Sequence, residues 1–453
     1  MVKQAFISTE LLLGDLDQLI RLPSSPGQAD DMDAVAGCIA TLMERTGLQV
    51  TVIATPGAPV VVGRRAGRHP FTLLLYHHYD AAPPGPWRAW NHEPFQLAER
   101  EGSLYGRGVA TGKGPLAAHL SAIAALIDAE RELPCGVVVV AEGEGLIGSP
   151  NLGAVIAEHH ALLKADACLS TGGERDVYGR PFCYSGVKGL LQVRLSASGA
   201  NQALPPGMAA SVANPLWRLL WALSQIKSEQ EEVLIGGFYD DMDVPSRTVS
   251  QALRSVALDE AGRLAAWGIP QFMFAMSGTA LVRTEATMPT CNVTALEVDP
   301  AGDLAAIPVS AHARVDFQLV PRQRPQAIVE LLREHLRSKQ LDDIVVERLP
   351  GGYPPVHTPF EHPFVQQVSA AGQATFSAPL ALLPLGPFAQ PLFFFAEAFR
   401  IPVAAVGCAR PDSAITAANE HIPLPDLVRH GQLLIDLLEA CARQAPYGVV
   451  PDV

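Results

Sequence analysis

Apolar positions along the chain fall into two rhythms. Residues 10–22 and 30–46 carry apolar side chains at helical spacing, which predicts two amphipathic helices. "QVTVIAT" (49–55) and "FTLLLYHHYD" (71–80) read as strands, and "GPLAAHLSAIAALIDAE" (114–130) as a helix. "CGVVVVAEGEG" (135–145) reads as a buried strand and "ADACLST" (165–171) as another. Strands alternating with helices predict an α/β domain with a mostly parallel sheet. In such sheets the site lies beyond the carboxyl ends of the strands. His78 and Asp80, Glu142 and Glu144, and Thr171 each follow a strand-like run, so they are expected on one rim.

From about Gly186 the texture changes. "LLQVRLSASG" alternates, a helix is predicted at 213–227, and "AAIPVSAHARVDFQLVP" alternates before the helix "PQAIVELLREHLRSK". That pattern predicts a two-layer α+β unit with a half-exposed antiparallel sheet. Past residue 360 helix and strand alternate again, ending in an amphipathic helix at 424–443. The simplest organisation is an α/β domain of residues 1–185 plus 360–453, split around an inserted α+β domain at 186–359. The apolar stretch "LALLPLGPFAQPLFFFAEAF" is broken by three prolines and reads as core rather than a membrane span.

Composition sharpens this picture. Hydrophobic residues make up 48% and charged residues 17%, enough apolar material for a large core. A net charge of −13 argues against nucleic acid or an anionic membrane as partner, since both demand a basic face. The seven cysteines are scattered with no CxxC, a usage that fits reduced thiols in the cytoplasm. "MVKQAFISTELLLGDLDQLIRLP" lacks the pattern of a secretory leader. The loop "GRGVATGKG" (106–114) has glycines for a tight turn but no GxxxxGK[ST] phosphate cradle.

"LLLYHHYDAAPPGPWRAWNHEPFQLAEREGSLYGRGVATGKGPLAAHLSAIAAL", followed in order by "GGFYDD", "MPTCNV", "FQLVPRQRP" and "AANEHI", resembles the aminoacylase/carnosinase family of dinuclear zinc exopeptidases, in its carnosinase-like branch. The similarity runs along nearly the whole chain. It implies a split α/β zinc-exopeptidase-type domain with an inserted lid that mediates dimerisation, hence a homodimer through residues 186–359. It also implies two zinc ions sharing a bridging carboxylate and a water, with a glutamate as general base. The His-x-Asp motif, in which the histidine binds zinc and the aspartate orients it, is intact as His78-Tyr79-Asp80. The bridging aspartate of "GRGxxDxKG" aligns with Thr111. The base and the next ligand, adjacent glutamates in "EGxEExGS", align with Gly145 and Leu146. The remaining aspartate and histidine align with Thr171 and Thr416, and the histidine that reaches across the dimer with Leu204. The substrate-carboxylate arginine aligns with Gln318, so a free peptide carboxy terminus is not the expected handle.

Of the implied ligands only His78 remains, and the expectation is no metal and no cofactor. Leucine has no lone pair to donate and glycine accepts no proton. This reading predicts a repurposed, metal-independent enzyme acting on a small amide, acyl-amino-acid or carboxylated metabolite by acid/base or acyl-transfer chemistry. Its catalytic candidates are His78, Asp80, Thr111, Glu142, Glu144, Thr171 and Thr416, with Lys113, Gln318 and Cys408 against the substrate. The alternative is a non-catalytic protein that binds a ligand or partner, and a metal-dependent dipeptidase with a remodelled site stands third. Each residue also has a plainer use: the threonines as small fillers, Lys113 steadying its loop, and Cys408 as a buried strand-end residue.

Overall fold

A computed structural model describes residues 5–300 and 305–443. The chain divides into two compact units, one of Met1–Val187, Pro245–Thr287 and Val356–Val453, the other of Lys188–Val244 and Met288–Pro355.

The first unit is built on an eight-stranded mixed sheet. Its centre is four parallel strands, in the order Leu133–Glu142, Gly67–His78, Ala167–Ser170 and Val403–Val406. Side chains alternate between two apolar layers, as the pleat requires. Leu73, Leu75, Val137 and Val139 join a cluster beneath the helices Ala29–Arg45, Lys113–Glu130 and Leu424–Cys441. Leu74, Tyr76, Val138 and Val140 join another on the opposite face, with the helices Leu152–Glu158 and Leu392–Phe399. A strand covered on both faces must be apolar throughout, which is why every residue of Leu133–Glu142 is buried. No helix among the described residues is long and apolar enough to cross a membrane.

The second unit is built on four strands of a six-stranded sheet, in the order Thr290–Asp299, Ser310–Leu319, Gly186–Ser198, Val345–Arg348, each antiparallel to its neighbour. Leu191, Val193, Val315 and Phe317 face Leu219, Ile328 and Leu332 of the helices Pro215–Ile226 and Pro325–Ser338. The inserted segment expected at 186–359 differs from this division over 245–287. Leu253, Val282 and Ala286 of that stretch belong to the same apolar cluster as Val403 and Ala405, so packing groups it with the first unit.

The first unit also buries three histidines, His77 on the strand Gly67–His78 and His119 and His430 on the helices Lys113–Glu130 and Leu424–Cys441. His77 Nε2 lies 3.1 Å from His119 Nδ1, and the rings of His119 and His430 stack at 4.7 Å. Burial lowers all three, His119 to about 3 and the other two well below the ordinary imidazole value. Below pH 6.5 the unfolded chain therefore binds protons at these sites that the folded chain does not, at His119 down to about pH 3. Stability then falls with falling pH, by up to about 1.4 kcal/mol per pH unit for each such proton. Glu142 and Glu420, raised by burial to about 7, act in the opposite sense between pH 7 and 4.5. The steepest loss is expected below pH 4.5. Urea unfolding midpoints measured from pH 7 to 3.5 should show it, with a shallower fall in His119→Phe; an unchanged slope in that variant would dismiss the buried imidazoles as the cause.

Candidate active site

The parallel strands deliver their last residues to one rim. His78 ends Gly67–His78, directly beside Glu142 at the end of the neighbouring strand, and Thr171 follows Ala167–Ser170. The chain then turns so that Asp80 reaches back under its own histidine. His78 Nδ1 lies 3.0 Å from Asp80 Oδ1, and the amide of Leu146 donates to Asp80 Oδ2 at 2.7 Å. Asp80 is wholly enclosed and the imidazole nearly so. Burial pulls the His78 pKa down, but the hydrogen bond and charge of Asp80, with the charge of Glu142, outweigh it and the net shift is upward. This is an oriented imidazole whose Nε2 is its free end.

That end meets the loop of Gly106–Gly112. The Thr111 hydroxyl lies 3.4 Å from His78 Nε2, at the outer edge of hydrogen bonding. Gly112 has a φ of +66°, and a Cβ there would stand 2.8 Å from the His78 carbonyl, so the approach depends on glycine. Gly145 abuts the other side: a Cβ on it would lie 2.7 Å from the Cβ of His78. A side chain at 145 would displace the imidazole.

Two residues that the sequence reading passed over hold this loop. Arg107 and Glu420 are both buried and paired at 3.0 Å. The Glu420 carboxylate also accepts from the amides of Gly108 at 2.9 Å and Ala110 at 3.0 Å. Arg107 donates to the carbonyls of Ile415 and Ala417, each at 2.8 Å, so the pair ties the Thr111 loop to the loop carrying Thr416. "GRG" and "NE" were visible in the sequence only as backbone and motif markers; a charged residue inside each buried loop was the available signal.

The other expected site residues are distributed differently. Glu142 accepts from the Tyr76 hydroxyl and from Ser149 Oγ at 2.6 Å, and burial raises it to about 7. Glu144 is engaged by Asn151 Nδ2 at 2.8 Å. Thr171 is buried and its carbonyl accepts from Gln390 at 2.8 Å, whereas Thr416 is exposed. Lys113, expected against substrate, is enclosed and donates to the Leu22 carbonyl at 2.5 Å. Cys408 is enclosed too, its thiol 3.9 Å from the Ala110 carbonyl, and burial pushes it to about 12, which rules out a thiolate at neutral pH. Gln318, in the second unit, donates to Asp316 at 3.4 Å and leaves its own oxygen buried without a partner. Among the described residues no group of three or more His, Cys, Asp or Glu side chains is placed to hold a metal ion.

Residues 74–440 match the family described as Peptidase family M20/M25/M40. The crystal structure of the M20 family metallo-carboxypeptidase Sso-CP2 from Sulfolobus solfataricus superposes with a TM-score of 0.88 at 29% identity, over 96% of this chain and 99% of that one. Human carnosine dipeptidase 1 shares the fold, with a TM-score of 0.84 at 18% identity over 96% and 97% of the two chains. Among curated proteins, the probable di- and tripeptidase DUG2 of Saccharomyces cerevisiae is 25% identical over 362 residues, covering 75% of this chain and 40% of that protein. The chain spans about half the length, or less, of the first curated relatives it matches. These matches correct the functional expectation drawn from the substituted positions. Neither a metal-independent acyl-transfer enzyme nor a non-catalytic binding protein is what they support: the three relatives just described are named as peptidases.

Proposed function

Because the chain belongs to the M20/M25/M40 peptidase family, we propose that it hydrolyses the peptide bond of short peptides at the rim carrying His78 and Asp80. The observation that carries the reading is the oriented imidazole, Asp80 Oδ1 on Nδ1 at 3.0 Å, at a strand end of a fold that follows a metallo-carboxypeptidase along almost its whole length. Asp80 fixes the tautomer and the ring plane, leaving Nε2 as the atom that moves or accepts a proton beside the scissile bond. Thr111 places a hydroxyl able to donate or accept 3.4 Å from that atom. The size of substrate follows the relatives, which are named as acting on di- and tripeptides and on Cys-Gly. Seven free cysteines, six of them buried, support a reducing, cytoplasmic setting.

The test is release of free amino acids from a dipeptide panel that includes Cys-Gly, with chelator and with added zinc, cobalt or manganese. Turnover in any of these conditions is the expected result. No turnover in all of them, by protein shown to be folded, would overturn the proposal.

A further inference from the structure

The first unit carries an arginine cluster that the rim does not use. Asp426 is buried and accepts from Arg410 Nε at 2.6 Å, with Arg175 at 3.7 Å and Arg429 at 4.0 Å. Three guanidiniums thus share one carboxylate. Arg410 holds the shortest contact, and Arg175 is enclosed, donating also to the carbonyls of Cys408, Gly179 and Asp426. Arg429 keeps the weakest hold. Its side chain is 55% exposed and borders a cavity of about 470 Å³.

The lining of that cavity is selective. The chain has 46 acidic residues against 33 basic ones, yet no aspartate or glutamate is among the lining residues, and two arginines are. Arg180 is matched by Asp176 at 2.7 Å; Arg429 is the cation left over. Tyr178, 73% exposed, presents its ring here with the Arg180 guanidinium 5.0 Å from its centre, and Phe376, partly buried against the apolar core with the Arg175 guanidinium 5.6 Å from its ring centre, is also a lining residue. The remaining wall is Thr375 to Ala378, at the carboxyl end of the helix Pro363–Phe376. The last four carbonyls of a helix have no partner within it, and together they amount to about half a negative charge. A bare anion drawn to Arg429 would meet that end as repulsion. A ligand with a carboxylate at one end and an ammonium at the other meets both walls favourably.

We propose that this cavity binds a free α-amino acid with an apolar or aromatic side chain. Its carboxylate pairs with Arg429, its ammonium faces the carbonyl end of Pro363–Phe376, and its side chain packs against Tyr178 and Phe376. The volume lies within the ordinary range of small-molecule sites. The site is separate in its residues from the His78 rim, so the inference stands whatever reaction the rim performs.

Isothermal titration of the full chain with L-phenylalanine, 3-phenylpropionate and inorganic phosphate, at constant ionic strength, tests this. Phenylalanine is expected to bind the wild type and His78→Ala equally, and Arg429→Ala about tenfold or more weaker, the loss of one charge-assisted contact. Tyr178→Ala should weaken phenylalanine severalfold, and 3-phenylpropionate, lacking the ammonium, should bind less tightly than phenylalanine. Absence of phenylalanine binding, binding lost in His78→Ala, or indifference to both Arg429→Ala and Tyr178→Ala would overturn the site. Equal or tighter binding of 3-phenylpropionate or phosphate would reduce it to an anion site and overturn the amino-acid assignment.

Discussion

His78→Ala is expected to lower kcat/KM for dipeptide hydrolysis by about 10³-fold, within the range typical for loss of a positioned proton-transfer group. The fold should survive, because the imidazole's hydrogen-bonding partners are Asp80 and, at the long distance of 3.4 Å, Thr111. Asp80→Asn is the sharper probe of the same arrangement. The amide is close in size to the carboxylate but removes the carboxylate hydrogen bond and the charge that raise His78 against burial. The loss in kcat should then come with a downward shift of any imidazole limb in the pH–rate profile, whereas a packing defect alone would move stability and leave that limb in place. Steady-state rates with matched circular dichroism decide the matter. Wild-type turnover in folded His78→Ala would place the chemistry elsewhere.

The strongest parts of the fold were readable because periodicity reports burial directly. "VVVV" in Leu133–Glu142 admits no solvent face, and the alternation of Ser310–Leu319 shows one side apolar and one polar. The strand Val60–Arg65 gives no such signal, because its three valines run straight into Gly63 and two arginines without alternation. The stretch 245–287 was assigned to the insertion because it lies within it in linear order, while membership of a core is decided by what Leu253 and Val282 touch. The site divides along the same line. His78 and Asp80 are two residues apart on an extended segment, so their shared side could be read from spacing. Glu144 and Lys113 carry the right chemistry, yet each is engaged by a neighbour, Asn151 and the Leu22 carbonyl, that no local pattern discloses. Arg107 and Glu420 are far apart in sequence and meet only in the folded chain.

That pair sets the second large effect. Arg107→Ala removes a guanidinium whose side chain is 1% exposed and leaves the Glu420 carboxylate, fully enclosed, with the amides of Gly108 and Ala110 alone. Breaking one side of a buried ion pair typically costs about 3–5 kcal/mol where the surviving charge stays buried and unmatched, and the Glu420 carboxyl, already raised by burial to about 7, can shed its charge by taking up a proton. The two amide donors retained by Glu420 favour the lower part of that range. Glu420→Gln should cost a similar amount for a different reason: one of its two ends becomes a donor facing backbone donors and the arginine. The double variant Arg107→Ala, Glu420→Gln removes both charges at once and should be less destabilised than the two single changes summed, as expected for groups that act on each other. Urea unfolding of the four proteins provides the cycle. Activity should fall with the single changes even where the protein remains folded, since the same pair holds the loop that sets Thr111 against His78 Nε2. If both single variants unfold within about 1 kcal/mol of the wild type, the pair is no more than an ordinary ion pair, and the loop must owe its position to the close approach at Gly112.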